Sequence, residues 1–358
     1  QMCIRDRYAS LLMMGISTSI IGILPPAASA GVGVVIVLQL MRLAQCFGRG
    51  GTWGGGILMA YENVPENKRS FYAAIPQIGL PIGFGLSSIL IAVPTLLLPE
   101  DIFFTWGWRI PFLAAIILTV IVIRQKGEMM ETEDYKKAQA KLEAEEAEGK
   151  KHKVGFIPMV KGYWKTLLLG CGTRWVDGTF YNIFIVWILS YCINWLGMPL
   201  IQTYIITIIA CIFKIPFTLF GGWCAQKLGN TRTFVIGALA SAVLSIPTLK
   251  VIELSKGNLA ITIIGIVLGW SIAYNLIWAV ISSLWSSYFE TEVRYSGISF
   301  VYHVPSFLVA GMVPTICTLL INYGKGDTIY VGIYSTVVAL ISAACALALK
   351  ARHDRGEK

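Results

Sequence analysis

The sequence predicts an all-α polytopic membrane protein with about ten membrane-crossing helices, and three observations predict it. First, 56% of the 358 residues are hydrophobic and only 14% charged, against roughly a quarter charged in ordinary soluble domains. Second, the apolar residues fall in ten long runs separated by short polar connections. Third, lysines and arginines crowd into alternate connections. Backbone polar groups in hydrocarbon must be paired within the chain, and a helix of about 20 residues spans about 30 Å, so such runs have to be helices.

Taken in order, a first run over about 8–24 follows Arg5 and Arg7. A second, about 33–60, carries Arg42, Arg49 and a glycine cluster at 48, 50, 51 and 54–56. The third (about 71–98) follows Lys68 and Arg69, and the fourth (about 109–124) begins at Arg109 and ends at Arg124. A polar stretch, 125–163, then holds eight basic residues (Lys126, Lys136, Lys137, Lys141, Lys150, Lys151, Lys153, Lys161) and eight acidic ones, and reads as a solvated, partly helical linker. Six further runs follow at about 164–194, 201–225, 233–252, 260–287, 297–322 and 328–350. The resulting domains are an N-terminal bundle over 1–124, the linker, a C-terminal bundle over 164–350 and a tail over 351–358.

The basic residues set the orientation. One side holds Arg5, Arg7, Lys68, Arg69, Arg124, the linker lysines, Lys165, Lys227, Arg232, Arg294, Lys350, Arg352, Arg355 and Lys358, and the other only Arg109, Lys250, Lys256 and Lys325. The rich side is expected to be cytoplasmic, with both termini there. Membrane topology thus accounts for the net charge of +9 without nucleic acid, because no continuous basic surface is formed. The eight cysteines contain no CxxC pair and, apart from Cys3, lie in apolar runs, so neither a metal nor a disulfide framework is expected. No cofactor is called for, and no ATP-binding motif is present.

Several segments, in order, carry a family resemblance. They are Arg42 and Gln45 with Gly48, Gly51 and Gly55; Pro76 and Gln77 with Gly79 and Gly83; Trp106 to Phe112 around Arg109; Arg174 three residues before Asp177, then Tyr181; Gly222 to Arg232, including Lys227 and Gly229; and Val293 to Gly297 around Arg294. Together they resemble the metabolite:proton symporter branch of the major facilitator superfamily over nearly the whole chain from about Tyr8. The resemblance implies a two-bundle fold of twelve helices of which about ten are present, the chain lacking the first two. Residues 1–7 depart from the family pattern, and the 358-residue chain alone is not expected to transport. The family also implies a bacterial inner-membrane protein, working as a monomer by rocking two bundles around a midplane site. Three departures stand out: Thr52 where a glutamate is expected in the fourth helix, Gln226 where an aspartate is usual, and Glu290 in place of a proline.

A charge inside the bilayer costs at least about 2.5–3.5 kcal/mol, so intramembrane charges face a bundle interior or a cavity. Here they are Arg42, Arg49, Arg174, Asp177 and Lys214. Arg42 and Arg49, two turns apart, can line one cavity and attract a carboxylate; equally, one can pair with an acid merely to permit burial. Arg174 and Asp177 touch across one turn, either as a closed ion pair or with Asp177 carrying the coupling proton. Lys214 lies too deep to snorkel, and can bind substrate or lock a gate. Gln77, Tyr181 and Asn275 are further candidate substrate contacts, among mid-span polar and aromatic residues that include Asn182, Trp270, Tyr274, Trp278 and Tyr302. His303 is a candidate proton relay or a packed hydrogen-bonding residue. Gly48, Gly51, Gly55, Gly222, Lys227, Gly229, Arg232 and Arg294 are assigned to conformational change. The leading reading is proton-coupled symport of a small organic acid or zwitterion. A proton-independent facilitator is the alternative, given Thr52; a membrane-embedded enzyme lacks any catalytic cluster, and a channel lacks a filter-like loop.

Overall fold

The computed structural model describes residues 4–26, 31–62, 64–124 and 156–356. Among them there is no strand. Nine helical stretches are long and apolar enough to cross a bilayer, namely Val32–Gly50, Arg69–Leu97, Gly107–Arg124, Met159–Asn194, Leu200–Leu228, Asn230–Leu254, Leu259–Tyr288, Val293–Tyr323 and Ile329–Asp354, and Tyr8–Ile23 adds a shorter apolar helix. These are the ten predicted runs. The linker expected at 125–163 lies outside the described residues up to 155; beyond that a helix has already begun at Phe156, and its backbone breaks at Tyr163 (φ −116°, ψ 18°), where the predicted span starts.

The helices are α1 (Ile4–Ile23), α2 (Val32–Glu62), α3 (Arg69–Ala74), α4 (Gly79–Leu97), α5 (Glu100–Thr105), α6 (Ile110–Arg124), α7 (Phe156–Tyr181), α8 (Ile188–Asn194), α9 (Leu200–Leu228), α10 (Asn230–Leu254), α11 (Leu259–Ile266), α12 (Asn275–Tyr288), α13 (Thr291–Leu308), α14 (Val313–Tyr323) and α15 (Ile329–Asp354). The third span is interrupted at Pro76–Ile78 by a 3₁₀ turn, because proline has no N–H to continue the ladder and clashes with the preceding turn. Two spans widen into π-helix, at Asn182–Trp187 and Val267–Ala273, a form that recurs at functional sites. Many hydroxyls in the spans bond to carbonyls one turn back, as Ser17 does to Met13 (2.7 Å), Thr18 to Met14 (2.6 Å) and Thr207 to Thr203 (2.9 Å). That satisfies them without water. Large apolar side chains such as Leu97, Val243, Phe307 and Leu347 stand exposed, as expected where lipid is the solvent.

The chain divides into two compact units, 1–59 with 87–151, and 60–86 with 152–358. In the first, α1 packs on α6 through glycines: Gly15 faces Thr119, and a Cβ on Gly22 would lie 2.8 Å from Phe112 Cβ. Arg109 ties the same region together by donating to the Leu24 carbonyl (3.0 Å). In the second, α15 lies along α10 and α7. Ser245 and Ser335 share a hydroxyl hydrogen bond, Ser342 donates to the Gly172 carbonyl (2.7 Å) and accepts from Val176 N–H (3.1 Å), and Gly332 abuts Ile246. Small residues at helix contacts let backbones approach, which is how membrane bundles gain packing energy.

Candidate functional site

The second unit gathers its buried charged residues at one depth. Asp177 lies midway along Met159–Asn194, Lys214 midway along Leu200–Leu228 and Tyr274 midway along Leu259–Tyr288. Asp177 is 1% exposed, Arg174 7% and Lys214 0%. The i,i+3 pair Arg174–Asp177 forms an ion bridge within α7, and the Tyr274 hydroxyl donates to the other carboxylate oxygen. On its far side Arg174 reaches Ser306 Oγ (3.3 Å) and lies 4.3 Å from the Tyr302 ring centroid. Ser306 and Tyr302 come from α13, so three spans meet at one ion pair.

Lys214 reaches the same cluster from α9. Its stem would need to cross fourteen residues, about 21 Å of helix, to leave either end, so it cannot snorkel. Its Nζ sits 4.5 Å from the Trp270 ring centroid and 4.3 Å from that of Tyr274, with the Trp270 carbonyl at 3.4 Å. Among the described residues no carboxylate lies within ion-pair distance of it. Asn275 does not face outward but braces this helix, its amide donating to the Lys214 carbonyl (2.7 Å) and Thr218 Oγ1 (3.0 Å). The π segments shape the floor. Phe184 lies against Gly269, where a Cβ would come within 2.7 Å of the ring, and Phe180 stacks on Tyr274 at 6.1 Å and 10°.

The remaining candidates are dispersed. Gln77 is buried and exchanges two hydrogen bonds with Trp278, donating to its carbonyl (3.3 Å) and accepting on its own carbonyl from the indole N–H (3.1 Å). Tyr181 meets Phe84 edge-on at 5.8 Å, and Asn182 caps the Gly178 carbonyl (2.8 Å). His303 is half-buried and meets Tyr302 edge-on at 5.1 Å.

In the first unit, Arg42 and Arg49 lie on exposed positions of α2. Arg42 bonds Gln45 Oε1 at 3.4 Å, and Gln45 bonds Thr18 (2.6 Å). Gly48 is buried against Ser10 and Met14 of α1. Gly51 and Gly55 continue α2, and their surroundings, like those of Thr52, lie outside the described residues.

Of the residues assigned to conformational change in the second unit, Gly222 packs against α3, where a Cβ would lie 2.7 Å from Ala74 Cβ. Gly229 (φ 90°) alone joins α9 to α10, a left-handed position that glycine takes without strain. Lys227 lies 4.1 Å over the Trp223 ring, Arg232 is exposed, and Arg294 and Arg69 both lie over Tyr61, at 5.8 and 5.4 Å. Sequence reading placed Tyr274, Tyr302 and Trp270 among general mid-span residues and passed over Ser306, Thr218 and Phe180. Their partners lie up to 132 residues away, and no local spacing encodes that.

At the opposite end of this unit, Lys250 bridges Glu253 (3.0 Å) and Asp327 (2.6 Å). Glu253 in turn accepts from Thr328 N–H (2.8 Å) and its hydroxyl (2.7 Å). Asp327, outside the spans, is held below the ordinary carboxylate range by the Lys250 hydrogen bond and then by the Ile329 N–H.

The profile of the Major Facilitator Superfamily matches residues 4–310. The chain belongs to that superfamily. Curated relatives of this major facilitator include the inner membrane metabolite transport protein YhjE of Escherichia coli K12, 32% identical over 97% of this chain and 77% of its own length. The shikimate transporter of the same organism is 30% identical over 94% and 76%, and a proline/betaine transporter of Salmonella typhimurium 27% over 97% and 69%. Among solved structures, the proton:xylose symporter XylE matches with a TM-score of 0.71 at 16% identity, covering 95% of this chain and 79% of that one. The fucose:proton symporter FucP of Escherichia coli matches at 0.63 and 11%, over 97% and 83%. At such identities the structures establish the fold. This is a membrane-spanning metabolite transporter of the superfamily, not an enzyme.

Proposed function

We propose that this transporter couples inward movement of a small organic acid to protons by alternating access. The carrying observation is the buried Arg174–Asp177–Tyr274 cluster at mid-span, with Lys214 across the Tyr274 ring. A carboxylate facing an arginine stays ionised, and one left buried without its cation takes a proton. Withdrawal of Arg174 from Asp177 therefore loads the carboxylate with a proton, and its return discharges it. Lys214 and Arg174 attract the substrate carboxylate, Arg42 and Arg49 draw anions in the first unit, Tyr181 and His303 are secondary contacts, and Gln77 and Asn275 brace the helices that carry the site. The relatives' names, shikimate on one hand and proline/betaine on the other, denote compounds that carry a carboxylate, which supports that substrate class. We place both termini and the 125–163 linker in the cytoplasm, between bundles at 1–124 and 164–350 of a monomer, on the asymmetry of Lys and Arg. The test is binding of labelled benzoate to the full-length protein: Arg174→Gln and Lys214→Gln each weaken it at least about tenfold if these cations hold the carboxylate, and unchanged binding in both contradicts the assignment.

A further inference from the structure

The Lys214 ammonium is held by faces of two aromatic rings, the arrangement by which proteins recognise quaternary ammonium groups. Trp270 and Tyr274 stand 4.5 and 4.3 Å from Nζ, and all three residues are at most 1% exposed. Both walls are fixed. Tyr274 is pinned by its hydroxyl on Asp177 and by the stacked Phe180 ring, and Trp270 by its place in the π segment. The Lys214 backbone is pinned by Asn275. The Trp270 carbonyl, at 3.4 Å, is the only oxygen bonded to Nζ among the described residues. With three protons and one carbonyl, the ammonium has the two ring faces as its main partners within the protein.

We propose that Lys214 is a tethered cation filling a two-walled aromatic cage, and that by filling it the side chain bars substrates bearing a quaternary ammonium group. This refines the substrate class of the site proposed above, yet it is tested separately from carboxylate binding. The probe is tetramethylammonium, with binding to the full-length protein followed by radiolabel retention. Wild type is expected to retain none. Lys214→Ala, which empties the cage, is expected to bind it saturably, and Lys214→Ala/Trp270→Leu to lose that binding. If the alanine variant does not elute as a folded monodisperse species, Lys214→Ser carries the test, since its short side chain leaves both ring faces to the cation. Saturable binding gained by the folded Lys214 variant and lost with Trp270 supports the proposal. Equal tetramethylammonium binding by wild type, or none by a folded Lys214 variant, overturns it. Absence of benzoate binding by the wild type would count against the carboxylate reading alone.

Discussion

Replacing Asp177 by asparagine separates the structural from the transport role of the buried pair. The carboxylate is 1% exposed and its arginine partner 7%, so the variant leaves a cation in the membrane interior without its counter-charge. Removing one member of a buried pair costs about 3–5 kcal/mol. Here Arg174 keeps Ser306 and the Tyr302 face, and the amide oxygen of the Asp177→Asn variant still accepts from Tyr274, so the lower end, about 3 kcal/mol, is expected. For a chain of this size that is a melting-temperature loss on the order of 5 °C, read by thermal unfolding of the purified full-length protein in detergent. Because the two groups act as one unit, Arg174→Gln/Asp177→Asn is expected to recover at least about 1.5 kcal/mol of the summed single losses. An unchanged melting point in the single variant, or strictly additive losses in the double, would show that the two side chains are not a buried pair.

Three further outcomes follow from other contacts. Gly222→Ala would bring Cβ to 2.7 Å from Ala74 Cβ, roughly 1 Å inside ordinary carbon contact, so it should cost about 1–3 kcal/mol and slow uptake; Gly222→Ala/Ala74→Gly should restore both, and an innocuous single change would sink the close-packing argument. Asp327 has its carboxyl lowered in the folded state, so its contribution is present above the unfolded value near pH 4 and is lost as pH falls through the lower folded value. Melting temperature scanned against pH should therefore drop on the acid side, and Asp327→Asn should flatten that limb; identical profiles would count against the bridge. Finally, in a cysteine-free background, Lys256→Cys should react with an impermeant maleimide from outside intact cells and Arg232→Cys should not, and the reverse pattern would invert the proposed topology.

The lipid-spanning architecture was legible because the bilayer imposes one rule on every span: long apolar runs, with polarity concentrated between them. The interruptions were less so. Pro76 announces a break, but the π segments at Asn182–Trp187 and Val267–Ala273 meet where Phe184 packs against Gly269, a contact between residues 85 apart in the chain. The charged members of the cluster stood out because burial of Arg174, Asp177 and Lys214 is expensive anywhere in a membrane. Their partners were hidden, since a tyrosine at 274 or a serine at 306 looks like any other mid-span polar residue until tertiary structure brings it to a carboxylate. Gln77 shows the converse: a polar side chain in mid-span invited a binding role, whereas its amide and carbonyl are engaged with Trp278.

Proton-coupled uptake of an organic anion is tested most directly by reconstituting the full-length protein in vesicles and following a panel of labelled carboxylates with and without an imposed pH gradient, acid outside. Saturable uptake stimulated by the gradient, and lost in Arg49→Gln or Asp177→Asn, is the expected result. Uptake of the same compounds at a rate indifferent to the gradient would contradict proton coupling and leave a uniporter; uptake of no anion at all would contradict the carboxylate assignment itself.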